Sequence, residues 1–416
     1  MESMILATKS GTPIIGQIAV VMGWIMNAIY KVLDMVGIQN LGLCIIIFSS
    51  LIYLCMTPLQ IKQQKFSKLS AIMQPEIQKI QKKYQGKKDQ DSMMKMQEET
   101  QAVYQKYGVS ATGSCVQLAI QMPILFALYR VFMNVPAYVN QVKEAFFPMV
   151  EKLANTVGSA EFLSNSENFS NAAMYAKQFT SEAFTSGNAE YIQNTFIDVL
   201  YKASTSEWKN LADHFPTLAT EITDTMQKME HYNNFLGLNM GNSPSYMVHE
   251  AIAAGAWLMV VAGLAIPVLS ALTQWLNVKL MPQASDASSN NDNSSMAASM
   301  KMMNNVMPIM SAVFCYTLPS GMGLYWIAGS VVRSVQQVLI NKHIDKMDID
   351  AQIKKNLEKR DAKLRKQGID PAKLNNYANM STRNVKTSSA PAATKAKAPS
   401  MTQEQKEEAM RKATEY

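Results

Sequence analysis

Four long windows of the sequence contain no aspartate, glutamate, lysine or arginine. They run from Met35 to Ile61, from Tyr107 to Tyr129, from Ala251 to Val278 and from Met302 to Val332. Each window is longer than the roughly 20 apolar residues that an α-helix needs to cross a bilayer. Soluble domains rarely contain even one such window, so the chain is predicted to be an all-α membrane protein.

The windows predict five transmembrane spans rather than four. The last window contains a turn-forming run, Leu-Pro-Ser-Gly-Met-Gly at residues 318–323, which divides it into two helices. The predicted spans are residues 41–60, 113–135, 246–275, 303–318 and 322–340.

The N-terminal residues 1–40 contain a further apolar stretch, from Pro13 to Val36. It is interrupted by Asn27, Lys31 and Asp34, which favours an amphipathic helix lying in the membrane interface. The alternative is a sixth span.

The distribution of charge predicts the orientation in the membrane. Residues 61–106 contain ten lysines and five acidic residues, whereas residues 131–250 contain six lysines and thirteen acidic residues. Because lysine and arginine accumulate in short cytoplasmic loops, residues 61–107 are predicted to be cytoplasmic. The N-terminus and residues 136–245 are then extracytoplasmic, and the basic tail, residues 341–416, is cytoplasmic.

Residues 61–107 are predicted to form a helical hairpin with a turn at Gln85–Asp89. Apolar residues recur at intervals of three and four on both sides of this turn, so each half forms a helix with one apolar stripe. Pro75 is interpreted as the first residue of a restarted helix. The two stripes are Phe66, Leu69, Met73, Ile77, Ile80 and Tyr84, and Met93, Met96, Thr100, Val103 and Tyr107.

The remaining polar segments are predicted from composition. Residues 136–245 have helical patches joined by serine, asparagine and threonine, which predicts a small helical insertion. Residues 276–302 form a polar cytoplasmic loop. The tail begins as a charged helix and becomes low-complexity, and its basic balance favours contact with ribosomal RNA or anionic lipid. A solvated tail is the alternative.

No catalytic, metal or cofactor site is predicted. The four cysteines, Cys44, Cys55, Cys115 and Cys315, all lie in predicted spans without a CxxC spacing. The segment from His249 to Ala253 begins like the zinc motif HExxH but ends in alanine, so it lacks the second ligand. No acidic residue lies in the core of a predicted span, so an intramembrane hydrolase is not expected.

Three sequence blocks in residues 57–132 resemble the YidC/Oxa/Alb family of membrane protein insertases. They are Thr-Pro-Leu-Gln-Ile-Lys-Gln at 57–63, Met-Gln-Pro-Glu-Ile-Gln-Lys at 73–79, and the stretch from Cys115 through Gln-Met-Pro-Ile-Leu-Phe-Ala-Leu-Tyr at 121–129. Residues 319–326 and the pair Gln336 and Gln337 are similar to the fifth span of the family. The order of the blocks makes the resemblance specific.

The resemblance implies five helices enclosing a polar groove that is open to the cytoplasm and to lipid and closed outside. Nascent membrane segments and lipid are the implied partners, with a Sec translocon and the ribosome as further ones. No large β-domain precedes the first span, as in the form found in single-membrane bacteria. The insertion of more than a hundred residues departs from the compact members of that form, so the family implies no role for it.

One position departs from the family pattern. Family members usually have a cationic residue five positions before the proline that closes the first span, and here that position is Tyr53. The fifth span instead contains Arg333. At about 1.5 Å per residue, Tyr53 and Arg333 lie roughly 18 Å and 16 Å from the outer ends of their spans. A charge at this depth is costly in lipid, so Arg333 is expected to face the polar groove.

Polar residues also recur on one face of the second span and on the face of the fifth span that contains Arg333. Their spacings of three and four place them on one side of the second and of the fifth span. Either they line the groove with Arg333 and Tyr53, or they form hydrogen bonds between helices. The candidate groove residues are Arg333, Tyr53, Ser114, Gln117, Gln121, Ser330 and Gln337.

A small-solute or anion transporter is the alternative function. Arg333 would suit an anion path, but transporters commonly contain inverted repeats of several spans. Five spans with one long extracytoplasmic segment show no such symmetry, so the sequence favours the insertase.

Overall fold

The computed structural model describes residues 12–87, 89–109, 115–280, 295–346, 348–366 and 370–371. These residues are almost entirely helical, and they contain one short antiparallel strand pair, β1 (Asn234–Phe235) and β2 (Leu238–Asn239). In chain order the helices are α1 (Ile15–Met35), α2 (Leu41–Cys55), α3 (Thr57–Tyr84), α4 (Gln90–Lys106), α5 (Cys115–Met133), α6 (Asn140–Glu144), α7 (Phe147–Ala154), α8 (Ser159–Ser164), α9 (Ala172–Phe179), α10 (Glu182–Thr185), α11 (Ala189–Tyr201), α12 (Thr205–His214), α13 (Ala219–Asn233), α14 (Pro244–Ala253), α15 (Trp257–Leu280), α16 (Ser295–Thr317), α17 (Ser320–Asp345) and α18 (Ile349–Lys366).

The chain divides into two compact units. The described residues of the first unit fall within 12–56, 120–278 and 303–335, and those of the second unit fall within 57–119, 279–302 and 336–371. The first unit contains most of the apolar helices and the whole predicted insertion, and the second contains the predicted hairpin.

Several helices have the length and composition of membrane spans. Within the described residues, α1 and α15 are long and apolar enough to cross a bilayer, and α2 with the beginning of α3 qualifies as a third span if the break at Met56 is allowed. Residues 119–133 and 306–317 form shorter apolar helices. The prediction of an α-helical membrane protein therefore holds in this coarse form, and the number of five spans stays a prediction. Helix α1 suits both interpretations of the N-terminal segment.

The region predicted as the third span contains two helices, α14 and α15. Gly255 separates them with a φ of 67°, a left-handed conformation that glycine adopts without strain. The Gly255 N–H donates to Ile252 O at 3.1 Å and the Ala256 N–H donates to Ala251 O at 2.8 Å. This pair of bonds is a Schellman motif, which ends α14 and lets the chain begin a new helix.

Helix α1 packs against the beginning of the insertion. A Cβ atom on Gly23 would lie 2.3 Å from Cδ1 of Tyr138, so only glycine allows the ring to approach so closely. The backbone N–H of Asn140 donates to Asn27 Oδ1 at 2.9 Å. The asparagine that interrupts the apolar stretch therefore has a structural role in the first unit.

The insertion folds as a set of short helices, α6 to α13, around aromatic and aliphatic side chains. Helix α11 provides a central wall of this core, because Phe196, Ile197, Val199 and Leu200 are all buried. The serine and asparagine residues of the joints act as helix N-caps, as Asn188 does for α11 and Ser204 does for α12.

A carboxylate is buried inside this helical insertion. Asp198 on α11 is only 4% exposed and accepts a hydrogen bond from Gln178 Nε2 at 3.2 Å. Burial raises the pKa of Asp198 to about 7, although Lys202 and Lys143 partly oppose the shift. Burial also lowers the pKa of Lys202, whose Nζ lies 5.1 Å from the ring centroid of Tyr175.

Because the Asp198 carboxylate is buried, we expect the free energy of unfolding to fall as pH rises. Because the pKa of Asp198 is higher in the folded state than in the unfolded state, folding takes up a proton between about pH 4 and 7, and the stabilisation present below this window is lost above it. Asp198→Asn is expected to stabilise the protein at about pH 8 by on the order of 2–4 kcal/mol and to have little effect at low pH. Thermal unfolding of the purified full chain across this range measures the effect. Asp213→Asn, at an exposed position, is the control.

The second unit contains α3 packed antiparallel to α4. Met73, Ile77, Ile80 and Val103 are buried between them, and Glu76 joins the open end by accepting hydrogen bonds from Lys106 Nζ at 2.8 Å and Tyr107 Oη at 2.9 Å. Of the predicted stripe residues, Met73, Ile77, Ile80 and Val103 are buried in this cluster, and Tyr84, Met96 and Tyr107 pack against it.

Two features of this unit differ from the sequence interpretation. Helix α3 is continuous through Pro75, so Pro75 does not begin a new helix. The buried Met73 and Ile77 on either side of Pro75 pack in one cluster, and this packing holds the helix together despite the missing N–H. Met93 is 56% exposed and lies outside the packed cluster, whose first member on α4 is Met96.

Candidate functional site

The candidate site in the first unit is centred on the guanidinium of Arg333 in α17. Its Nη2 donates to Ser330 Oγ at 3.0 Å and approaches Gln274 Oε1 at 3.5 Å. Its Cζ atom lies 5.1 Å from the ring centroid of Tyr53, within the range of a cation–π interaction. Within the described residues, all of these partners are neutral.

The guanidinium of Arg333 has an N–H donor that no described residue uses. Its Nε atom is buried and makes no hydrogen bond to any described residue. A guanidinium has five N–H donors in a planar fork that fits a carboxylate. Arg333 as a whole is half-buried, and a cation in a membrane helix is costly unless it faces a polar cavity or a partner, so it is a candidate for function.

Tyr53 occupies the position at which the family pattern has a cation. Its ring is 3% exposed and stacks on Tyr325 with centroids 5.9 Å apart, and the two hydroxyl oxygens are 3.3 Å apart. A Cβ atom on Gly329 would lie 2.1 Å from Cε2 of Tyr53. The ring therefore lies directly on the backbone of α17, and Gly329 makes this contact possible.

The structure brings only some of the predicted groove residues together. Arg333, Tyr53 and Ser330 form the cluster, and Gln121 joins it through an interaction with the Tyr325 hydroxyl. Gln337 donates instead to Asn341 Oδ1 on its own helix at 3.1 Å.

Ser114 lies outside the described residues, as does the side chain of Gln117.

Helix α15 provides a polar face that the sequence analysis missed. Ser270 shares a hydrogen bond of 2.6 Å with Ser311, Gln274 meets Arg333, and Asn277 Nδ2 donates to Ser330 O at 3.1 Å. Their spacing of four and three places them on one face of the helix. This spacing was the signal available in the sequence. The Ser270 contact links α15 to α16, which is an interhelical bond of the ordinary kind.

The second unit joins two of the resembling sequence blocks. Gln336 Nε2 donates to Thr57 Oγ1 at 2.9 Å, so the beginning of the block at residues 57–63 meets the glutamine pair that follows the fifth-span block. This contact could not be inferred from spacing, because 279 residues separate the partners.

The long apolar helices and the charge held among polar groups define an α-helical membrane protein. Comparison with known proteins gives the family. The model of the 60Kd inner membrane protein family matches residues 31–347, and the chain belongs to that family.

Relatives in several bacteria are similar to this chain. A protein named Membrane protein insertase YidC in Oceanobacillus iheyensis is 25% identical over 321 residues, which cover 77% of this chain and 81% of the relative. Membrane protein insertase MisCA of Bacillus subtilis is 42% identical over 114 residues, 27% of this chain and 43% of the relative. Membrane protein insertase YidC of Bifidobacterium longum is 31% identical over 161 residues, 37% of this chain and 48% of the relative.

Proposed function

We propose that this protein is a membrane protein insertase that moves nascent hydrophobic segments into the cell membrane. Family membership supports the activity, and the relatives named above are insertases by name. The observation that carries the mechanism is the guanidinium of Arg333, which lies between α17, α15 and Tyr53 of α2 and has no counter-ion among the described residues. A carboxylate in the polar flank of a nascent segment would complement it.

The mechanism needs a polar groove, which we propose lies between α2, α5, α15 and α17. Arg333, Ser330, Gln274 and Gln121 supply polar atoms at depths where lipid offers none. Since electrostatic attraction is stronger in a partly dehydrated cavity than in bulk water, one charge suffices to draw a short acidic flank inward. The hydrophobic segment then leaves sideways into lipid.

The activity is tested by insertion into vesicles that contain the purified protein. A single-span substrate with a short acidic flank should become protected from protease in these vesicles and not in protein-free ones. Equal protection in both would contradict the proposal. Uptake of small anions without insertion would favour the transporter instead.

We propose five spans, with the N-terminus and the insertion outside and the hairpin α3–α4 and the basic tail in the cytoplasm. The Lys-rich residues 61–107 support this orientation. The hairpin and the tail would meet the ribosome there, and a Sec translocon would be a partner within the membrane.

The orientation predicts which introduced cysteines react from outside. With Cys44, Cys55, Cys115 and Cys315 replaced, a cysteine at the exposed position Ser186 in the insertion should react with an impermeant thiol reagent in intact cells. A cysteine at the exposed Gln85 should react only after permeabilisation. The reverse pattern would overturn both the orientation and the direction of insertion.

A further inference from the structure

The chain from Asn234 to Asn242, which we call the clasp, ends the insertion and lies against the bundle of apolar helices. Strands β1 and β2 pair Asn234 with Asn239 and Phe235 with Leu238. The two turn residues between them, Leu236 and Gly237, have φ values of 53° and 82°. This backbone is the tight turn of a two-residue hairpin, so the clasp has a fixed shape.

The first strand of the clasp is fastened to the beginning of α2. Asn40 caps this helix by accepting the N–H of Leu43 at 3.0 Å, and its Nδ2 donates to Asn234 O at 2.7 Å. A Cβ atom on Gly42 would lie 2.4 Å from Cγ and 2.5 Å from Cβ of Phe235. The second distance involves an atom fixed to the backbone, so any larger residue at position 42 must displace the strand.

The end of the clasp caps the beginning of α17. Asn242 O accepts hydrogen bonds from both the N–H and the Oγ of Ser320, each at 2.8 Å, and Met240 O accepts the N–H of Gly321 at 3.0 Å. The first N–H groups of a helix have no partner within the helix. Here carbonyl groups of the clasp supply the partners.

Apolar side chains of the clasp complete its contacts. Leu238 and Met240 are buried in a cluster with Ile266 of α15 and Cys315 of α16. The clasp therefore contacts the beginnings of α2 and α17 by hydrogen bonds, and its apolar side chains pack in one cluster with side chains of α15 and α16. It thereby joins the insertion to walls of the proposed groove.

We infer that the clasp is the permeability seal of the bundle at the end where α2 and α17 begin, and that it stays closed while substrates enter from the other end. A groove that admits polar flanks also admits water and ions unless one end is closed. The clasp closes that end by satisfying backbone donors and filling the space with buried side chains. On the orientation proposed above, this end is extracytoplasmic. The inference does not rest on insertase activity, because a leak is measurable without substrate.

The native thiol of Cys315 reports directly on the seal, because it is fully buried beneath the clasp. The test uses the full chain with Cys44, Cys55 and Cys115 replaced by alanine, in vesicles of phosphatidylethanolamine and phosphatidylglycerol. Two rates are measured, the reaction of Cys315 with an impermeant maleimide and the proton flux detected by a trapped pH-sensitive dye. Gly42→Ala forces Phe235 away from α2. It is expected to raise both rates about tenfold, since overpacking of this kind increases the open fraction by roughly that factor.

Two further variants make the test decisive. Gly263→Ala is the matched control, because its Cβ would lie 2.9 Å from Val248 Cγ2 without meeting the clasp, and it should leave both rates unchanged. Asn40→Asp keeps the acceptor that caps α2 but loses the N–H donor to Asn234 O. The protein should still fold, and both rates should rise as they do in Gly42→Ala. The inference is overturned if the two clasp variants leave both rates unchanged or if Gly263→Ala raises them equally. It is also overturned if Cys315 becomes reactive while the proton flux stays the same.

Discussion

Arg333→Ala is expected to lower insertion of substrates with acidic flanks about tenfold or more and to leave substrates with neutral flanks nearly unaffected. A hydrogen bond to a charged group contributes about 1.5–3 kcal/mol, and about 1.4 kcal/mol corresponds to a tenfold change in rate. The described partners of Arg333 are neutral, so its removal leaves no unpaired carboxylate behind. The measurement is the fraction of substrate protected from protease in vesicles.

Two companion variants separate charge from structure. Arg333→Lys should keep much of the activity, because a cation remains although the planar fork is lost. Tyr53→Arg should partly restore the activity of Arg333→Ala, because the Tyr53 ring lies 5.1 Å from the guanidinium carbon and both positions then serve one site. Normal insertion of acidic-flanked substrates by Arg333→Ala would show that the guanidinium acts only within the fold. Failure of the protein to assemble would show the same.

Deleting residues 74–104, the greater part of the α3–α4 hairpin, is expected to abolish most insertion while the rest of the protein remains in the membrane. The hairpin has its own buried cluster of Met73, Ile77, Ile80 and Val103, so its shape does not depend on the apolar core of the first unit. We propose that this hairpin receives the nascent chain, and its loss should therefore lower insertion.

A point variant and a control sharpen this second test. Ile80→Asp places an uncompensated charge in the hairpin cluster, and this should disrupt the arm as the deletion does. Met93→Asp alters an exposed position on α4 and should insert substrates normally. Full activity of the Ile80→Asp protein, with protease sensitivity showing that its hairpin has opened, would leave the arm without a role in insertion.

The parts of the structure that could be predicted from the sequence are those governed by local patterns. Charge-free windows define apolar helices because the bilayer demands them, and spacings of three and four predicted the packed faces of α3 and α4. Arg333 was identified because a lone cation in an apolar helix needs a polar partner.

The missed features depend on tertiary contacts or on single backbone angles. Gln274 is neutral and lies in a charge-free window, and its partner Arg333 is 59 residues away. Gly255 is one of many glycines found in membrane helices, and only its positive φ ends α14. Pro75 stays within α3 because packing against α4 outweighs the lost hydrogen bond. The two-residue strands of the clasp are too short to form a pattern.

The clasp also sets the order in which this protein can be completed. Its first bond joins Asn40 to Asn234, which are 194 residues apart, and its last bonds need Ser320 and Gly321. At a synthesis rate of about 5–20 residues per second, Asn234 leaves the ribosome on the order of 10–40 s after Asn40. During that time the early helices can already lie in the membrane with their ends unsealed. A chain that ends before residue 320 contains both partners of the first bond but neither Ser320 nor Gly321, so the clasp is complete only once α17 has been made.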